Sequence, residues 1–333
     1  MNRRTFLFAA AAGGTLSAAP HSKMGIAVTC YMSFGHPKDT YEFLEHANAL
    51  GAGGIQMQLT SREADYARKL RARAEQLGMY FEAIGSLNAR EDAAAFERTV
   101  ESAKQAGALC LRVNCIPGRR YENFTSLEDW RKSVAQTREN IGDALRIVEK
   151  HQLPLAIENH KDWTADELAA LVKQKSSRWL GVCLDTGNNI SLLDDPMATV
   201  EILAPYAFTT HLKDMGVAPY PEGFLLSEMP LGEGQLDMRR IVDTIHSARP
   251  EARITLEMIT RDPLEVPCLT DKYWTTFPDR SGACLARTLR MVRDRKDPRP
   301  LPVVSGLSHD VQLRLEEDNV KQCLNYAREH LGL

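Results

Sequence analysis

The 333-residue chain lacks the features that mark several large classes of protein. It has no strong charge of either sign: 41 basic and 44 acidic residues leave a net charge of -3, and no basic stripe is interleaved with aromatics. That balance argues against nucleic acid as a partner and against an anionic membrane surface. Cysteine pairs are missing too, since Cys30, Cys110, Cys115, Cys183, Cys268, Cys284 and Cys323 form no CxxC and several lie in apolar runs. An odd number without framework spacing reads as small core residues rather than a disulfide network. No run of glycines leads into Lys and Ser or Thr, and no cluster of basic residues suits a phosphate in the last two strand-helix loops, which disfavours a phosphorylated substrate.

What is present begins with Asn2-Arg3-Arg4-Thr5-Phe6-Leu7, a weakly apolar Ala/Gly-rich run, and small residues around Ala18 and Ala19. The pattern resembles a twin-arginine export signal and is too short for a membrane span. Residues 1–20 are therefore expected to be a signal peptide, with Pro20 beside the cleavage region. The mature protein is expected in the periplasm or another extracytoplasmic space, without stable membrane association once the signal is removed.

Beyond it, β-rich runs alternate with segments of helical period, the pattern of a parallel sheet wound by helices. Eight strands are expected, at 24–33, 53–60, 79–87, 109–116, 153–160, 180–187, 207–214 and 253–259. Eight is the number that closes an α/β barrel of about 250 residues. Helices are expected over 91–106 and over 127–150, the latter capped by Ser126, and another starts at Asp195-Pro196. Two stretches break the rhythm, 215–237 and 260–281; both follow strands and are expected to cover the barrel mouth. The predicted fold is thus a (β/α)8 TIM barrel over 24–296, with a helical extension over 297–333 packed on it.

Chemistry concentrates at the ends of four successive strands: Glu158 in AIENH, Asp185 in CLDTGN, His211 in THLKD and Glu257 in TLEMI. Their spacings are 27, 26 and 46 residues. The first two match one strand-helix unit of ~30 residues, and the third is one unit plus the 215–237 insertion. Equal phase on neighbouring strands places the four side chains in one layer at the mouth. Three carboxylates there would repel one another, and a cation resolves the repulsion. Three oxygen donors and one imidazole suit Mn²⁺ best, with Mg²⁺ or Co²⁺ also compatible. No organic cofactor is called for.

These residues, with the wording ENH, DTGNxxxLLDDP, HLKD and PLGEGQLD, resemble the sugar phosphate isomerase/epimerase branch of the xylose-isomerase-like TIM barrel superfamily over about 24–293. The resemblance implies one divalent metal on Glu158, Asp185, His211 and Glu257, with Glu158 and Glu257 moving a proton on opposite faces of a chelated substrate through a metal-stabilised enediolate. His160 and Lys213, two residues beyond Glu158 and His211 and on the same side of their strands, suit substrate hydroxyls or a structural hydrogen bond or salt bridge, and Asn188 suits substrate binding or the turn after Gly187. Two departures stand out: Asn188 replaces a histidine frequent in ketose epimerases, and Lys213 stands nearest to where those enzymes carry an arginine. Ser86, Asn88, Asn114 and Cys115 replace the additional histidines of the related trinuclear phosphodiesterases, which disfavours that activity.

The expected function is isomerisation or epimerisation of a small unphosphorylated sugar or keto-sugar derivative. The alternatives are a lyase that expels the aglycone from a 3-keto-glycoside and a non-catalytic sugar-binding barrel. Both glutamates argue against the latter, since binding alone needs no pair of bases. Asn159 and Asp214 are expected to orient ligands or loops from behind. Tyr31, Trp163 and Trp274 suit packing more readily than sugar stacking, and Glu233 is a weaker pocket candidate. A homo-oligomer is compatible with the sequence, which does not decide it.

Overall fold

The computed structural model describes residues 22–295 and 297–333, so the expected export segment lies outside the described residues. Seven strands follow in chain order: β1 Gly25–Ala27, β2 Gly54–Met57, β3 Tyr80–Ser86, β4 Leu111–Asn114, β5 Leu155–Glu158, β6 Leu180–Asp185 and β7 Ala207–His211. A hairpin, β8 Asp214–Tyr220 and β9 Gly223–Met229, precedes the eighth barrel strand β10, Thr255–Leu256. β11, Leu264–Val266, comes last.

The barrel strands run parallel in the order β10, β1, β2, β3, β4, β5, β6, β7. Bridges Thr209 to Arg253 and Leu212 to Leu256 close the ring between β7 and β10. All eight strands fall inside their expected windows and are shorter than those windows.

The outer helices follow the expected signals. Ala93–Gln105 and Leu127–His151 occupy two of the predicted ranges. Ser126 accepts the Asp129 amide at 3.0 Å as a cap. Asp195 caps the helix that opens at Pro196, accepting the Ala198 amide at 2.9 Å. In the longest helix Trp130, Thr137, Ile141, Ala144, Leu145 and Val148 are buried. Their three- and four-residue spacing is the stripe a helix must turn toward the barrel. Cysteine behaves as expected at Cys30, Cys110, Cys183, Cys268 and Cys323, which are free and buried, while Cys115 and Cys284 are partly exposed.

The two irregular stretches form one structure at the mouth. β9 pairs antiparallel with both β8 and β11, giving a three-stranded sheet beside the barrel. The rest of 260–281 is tied down: the Tyr273 hydroxyl donates to the Ser191 carbonyl at 2.8 Å, and Arg120 donates to the Thr276 carbonyl at 2.6 Å. The Arg120 guanidinium lies between the rings of Trp130 and Phe277, where cation and π-face attract. Asp214 organises the Leu231–Leu236 turn. Its carboxylate accepts the amides of Gly232, Gly234 and Leu236 at 3.0, 2.9 and 3.0 Å. A Cβ at Gly234 would overlap that carboxylate, which accounts for the glycine.

The C-terminal helix His309–Tyr326 is latched to the loop after β1. Buried Glu316 accepts the amides of Ser33, Phe34 and Gly35 at 3.2, 3.2 and 2.5 Å, and the Tyr31 hydroxyl donates to Glu317 at 2.9 Å. Glu316→Ala would leave three amides without their charged acceptor, a cost of about 2 kcal/mol. A lowered Tm is expected, with loss of amide protection in 309–326 before the barrel strands. Unchanged exchange in that helix would show that the latch does not hold it.

Candidate metal centre

Strand register sets the height of each site residue. Glu158 pairs with Cys183, Asp185 pairs with His211, and Leu212 pairs with Leu256. Glu158 and Asp185 are therefore offset by two residues, Asp185 and His211 are level, and Glu257 lies two residues beyond the partner of His211. Offsets of zero or two preserve the inward face, and the stagger is the shear that closes a barrel. The equal height expected from spacing is thus a staggered arrangement with a common facing. β7 accommodates it with an irregularity, since Val182 pairs with Ala207 but Cys183 with Thr209.

The four side chains are buried and offer ligand atoms all within 4.8 Å of one another. His211 Nδ1 lies 3.4 Å from Glu158 Oε2, 3.8 Å from Asp185 Oδ2 and 3.4 Å from Glu257 Oε2. Glu158 Oε2, Asp185 Oδ2 and His211 Nδ1 make no hydrogen bond. Arg112 and Lys213 stand against the two carboxylate atoms as ion pairs, so the carboxylates are met by charge without a made hydrogen bond, and the imidazole Nδ1 among them is left without a partner. The donor set fits a divalent cation, so these residues could hold one.

The opposite side of three of the four, His211, Asp185 and Glu158, is anchored. His211 Nε2 lies 2.7 Å from Gln56 Oε1, which selects the tautomer that donates there and turns Nδ1 to the centre. Gln56 donates to Glu82 at 3.0 Å, and Glu82 also accepts the hydroxyls of Thr209 and Thr255 at 2.7 and 3.2 Å. Asp185 Oδ1 accepts the amides of Gly187 and Asn188 at 2.8 and 2.7 Å. Glu158 Oε1 accepts Asn188 Nδ2 at 3.0 Å, while the Arg112 guanidinium abuts Oε2. Asn159 joins two strand ends, accepting the Asp185 amide and donating to the Asp185 carbonyl, both at 2.8 Å.

Lys213 is buried among carboxylates, with Nζ 3.1 Å from Asp185 Oδ2, 2.5 Å from Glu257 Oε2 and 3.6 Å from Glu228 Oε1. Burial opposes its charge, but Asp185, Glu257 and Glu228 push its pKa up. Burial also opposes ionisation of Glu257, yet His211 and Lys213 hold its carboxyl well below the usual range. For His211 burial again acts against charge, while Cys183 and Glu257 raise the imidazole to about 10.

His160 sits partly exposed at the mouth with Nδ1 unpartnered; burial first, then Lys161, lowers its pKa to about 3, so it is neutral. Asn188 is a hub, receiving Lys161 and, at 3.4 Å, Lys213 on its oxygen. Tyr31, Trp163 and Trp274 pack against Phe43, Trp130 and Tyr273 respectively. Glu233 is exposed and meets Gln322 of the C-terminal helix. Sequence reasoning missed Gln56, Glu82, Arg112, Lys161, Glu228 and Arg261. The first three are polar residues inside otherwise apolar strands, a signal that was available.

Fold and site together define an α/β barrel with a buried carboxylate-imidazole cluster at its C-terminal mouth. The chain belongs to the xylose isomerase-like TIM barrel family, whose model matches residues 44–274. A 3-oxo-isoapionate decarboxylase of Pectobacterium atrosepticum is 28% identical over 134 residues, 38% of this chain and 48% of that protein. The chain thus spans about half the length of that relative. Among solved structures, a xylose isomerase domain protein from Planctomyces limnophilus aligns at TM-score 0.56 and 17% identity, over 83% of this chain and 97% of that one. A 3-keto-D-glucoside 4-epimerase from E. coli aligns at TM-score 0.55 and 12% identity, over 82% and 99%. At these identities the structures share the fold.

The geometry predicts one divalent ion per chain. Asp185→Asn and His211→Ala should each weaken metal binding by on the order of 100-fold or more, and Gln56→Leu by about 10- to 100-fold. Calorimetric titration checks both. Near neutral pH, uptake should release a proton from His211, read as a dependence of the heat on buffer ionisation enthalpy. Full affinity in Asp185→Asn would place the ion elsewhere.

Proposed function

We propose that the protein is a divalent-metal-dependent isomerase or epimerase acting by proton transfer on an unphosphorylated sugar or keto-sugar derivative. The observation that carries this reading is the pair Glu158 and Glu257, whose Oε2 atoms each lie 3.4 Å from His211 Nδ1 and approach it from non-adjacent strands. Two carboxylates reaching one centre from separate strands suit removal of a proton on one face of a carbon and its return on the other.

Glu158, Asp185, His211 and Glu257 would hold the cation, with Mn²⁺ favoured and Mg²⁺ or Co²⁺ alternatives for this oxygen-rich set. When bound, it supplies Lewis acidity to a carbonyl and a neighbouring hydroxyl oxygen of the substrate. Glu257 begins as the ionised base, because Lys213 and His211 hold it so despite burial. Glu158 is fixed by Asn188 and Arg112, which orients its carboxylate without a change of rotamer. Lys213, between Asp185 and Glu257, can donate to an oxygen that gains charge as the carbon loses its proton. His160 and Asn188 stand where hydroxyls of a sugar would enter.

The 3-keto-D-glucoside 4-epimerase among the similar structures supports a keto-sugar derivative as the substrate class. Proton abstraction beside a keto group is also the first step of the second reading, a lyase that expels the aglycone from a 3-keto-glycoside. A twin-arginine leader would place the reaction outside the cytoplasm, where free sugars are more available than phosphorylated ones.

Metal-loaded protein incubated in heavy water with ketoses, aldoses and 3-keto-glycosides should place carbon-bound deuterium into one of them. Glu158→Gln and Glu257→Gln should each lower that exchange by about 10²- to 10⁴-fold. Retained mass apart from deuterium marks an epimer or isomer, and a released aglycone marks the lyase. Exchange that persists in both variants would remove the glutamates from the chemistry.

A further inference from the structure

Lys161 is a buried amine whose charge the protein does not pair; burial first, then Lys213, lowers its pKa to about 7, so an arriving anion would complete its protonation. It is 5% exposed, and among the described residues it forms no ion pair within 4.0 Å. Its ammonium donates to Asn188 Oδ1, an uncharged oxygen that Lys213 Nζ also approaches at 3.4 Å. Two ammonium groups therefore meet on one amide. The adjacent Asp162 does not help, because its oxygens take the amides of Ile116, His160 and Trp163 at 3.1, 3.2 and 2.8 Å. Glu228 and Asp185 act on Lys161 only from beyond pairing distance. Both are already engaged, Glu228 by Arg261 at 2.6 Å and Asp185 by Lys213 at 3.1 Å.

The backbone is held in an unusual state to put the ammonium there. Lys161 has φ of 80°, in the left-handed region that a lysine enters only at a cost of about 1 kcal/mol or more. The carbonyl of Lys161 accepts the Arg120 amide at 3.0 Å, which fixes this turn. Strain of this kind, spent on burying an unpaired charge at a binding mouth, needs a return.

Charge balance indicates what that return is. Four carboxylates, Glu158, Asp185, Glu228 and Glu257, stand with four cations, Arg112, Lys161, Lys213 and Arg261. With His211 neutral, as a metal ligand must be, these charges at most balance, and a dication would leave the cluster positive. A neutral sugar leaves that excess as it is, and a carboxylate lowers it by one charge.

The geometry points to Lys161 as a substrate-binding residue that receives a carboxylate, so that the sugar taken by this site is a sugar acid. This rests on the reading of the mouth as a sugar site and adds the substrate's charge to it. A single ammonium beside a neutral amide suits the one charge of a carboxylate. A phosphate dianion calls for several convergent donors.

The test compares ligands that share one carbon skeleton. The full chain loaded with Mn²⁺ is titrated calorimetrically with D-fructose, 2-keto-D-gluconate, D-fructuronate and D-fructose 6-phosphate. At least one of the two acids should bind ten-fold or more tightly than D-fructose and more tightly than the phosphate. Lys161→Met should erase that preference while leaving Mn²⁺ affinity within about three-fold, and Lys161→Arg should restore part of it. Equal affinity for acids and D-fructose, preference for the phosphate, binding of neither acid, or a preference that survives in Lys161→Met would each overturn the inference. The wild-type comparison stands whether or not the variants fold. Deuterium exchange on the same ligands separates the two levels. Lys161-dependent binding of an acid without exchange sinks the isomerase reading alone, and exchange on neutral sugars without acid preference sinks the sugar-acid inference alone.

Discussion

The constraint on which the rest of this structure depends is the repulsion among carboxylates gathered at the barrel mouth. Two like charges 4 Å apart repel by about 4 kcal/mol at an effective dielectric of ~20. Glu158 and Glu257 both come within 3.4 Å of the same imidazole nitrogen, with Asp185 at 3.8 Å. Such a cluster survives only if its surroundings supply positive charge. Lys213 supplies it between Asp185 and Glu257, Arg112 against Glu158, and Arg261 against Glu228. Each cation is buried or nearly so, at a desolvation cost that its carboxylate partners must offset.

That requirement explains why the irregular segments lie where they do. Lys213 is buried, with Asp185 and Glu257 on the barrel side. The hairpin β8–β9 closes the other side and brings Glu228 to 3.6 Å from the Lys213 ammonium. The segment after β10 then brings Arg261 onto Glu228, so charge alternates outward from the centre through Lys213, Glu228 and Arg261. The three-stranded sheet is thus part of the electrostatic design of the site as well as its wall.

Much of this was legible in the sequence. Periodicity located all eight barrel strands, and spacing singled out Glu158, Asp185, His211 and Glu257, which the structure gathers within 4.8 Å of one another. What periodicity could not supply was the stagger, because register is a property of pairs of strands. The supporting residues divide by cause. Gln56, Glu82 and Arg112 are polar side chains in apolar strands, and their burial toward the interior follows from alternation once strand direction is known. Lys161 follows the strand-end motif and has no such signal; its side chain turns into the site through a left-handed backbone that the sequence gives no reason to expect of lysine. Glu228 depends on how an insertion folds back, which rests on contacts remote in sequence.

The anchoring hydrogen bonds also limit what the cluster can offer a cation. Glu158 commits Oε1 to Asn188, Asp185 commits Oδ1 to two backbone amides, and His211 commits Nε2 to Gln56. Each of these three turns its other atom to the centre, where Arg112 stands against that of Glu158 and Lys213 against that of Asp185. With Glu257 the set amounts to about four donors, whereas the oxygen-preferring dications accept six or more. The same hydrogen bonds that hold these side chains rigid therefore also limit how many donors they could offer a cation.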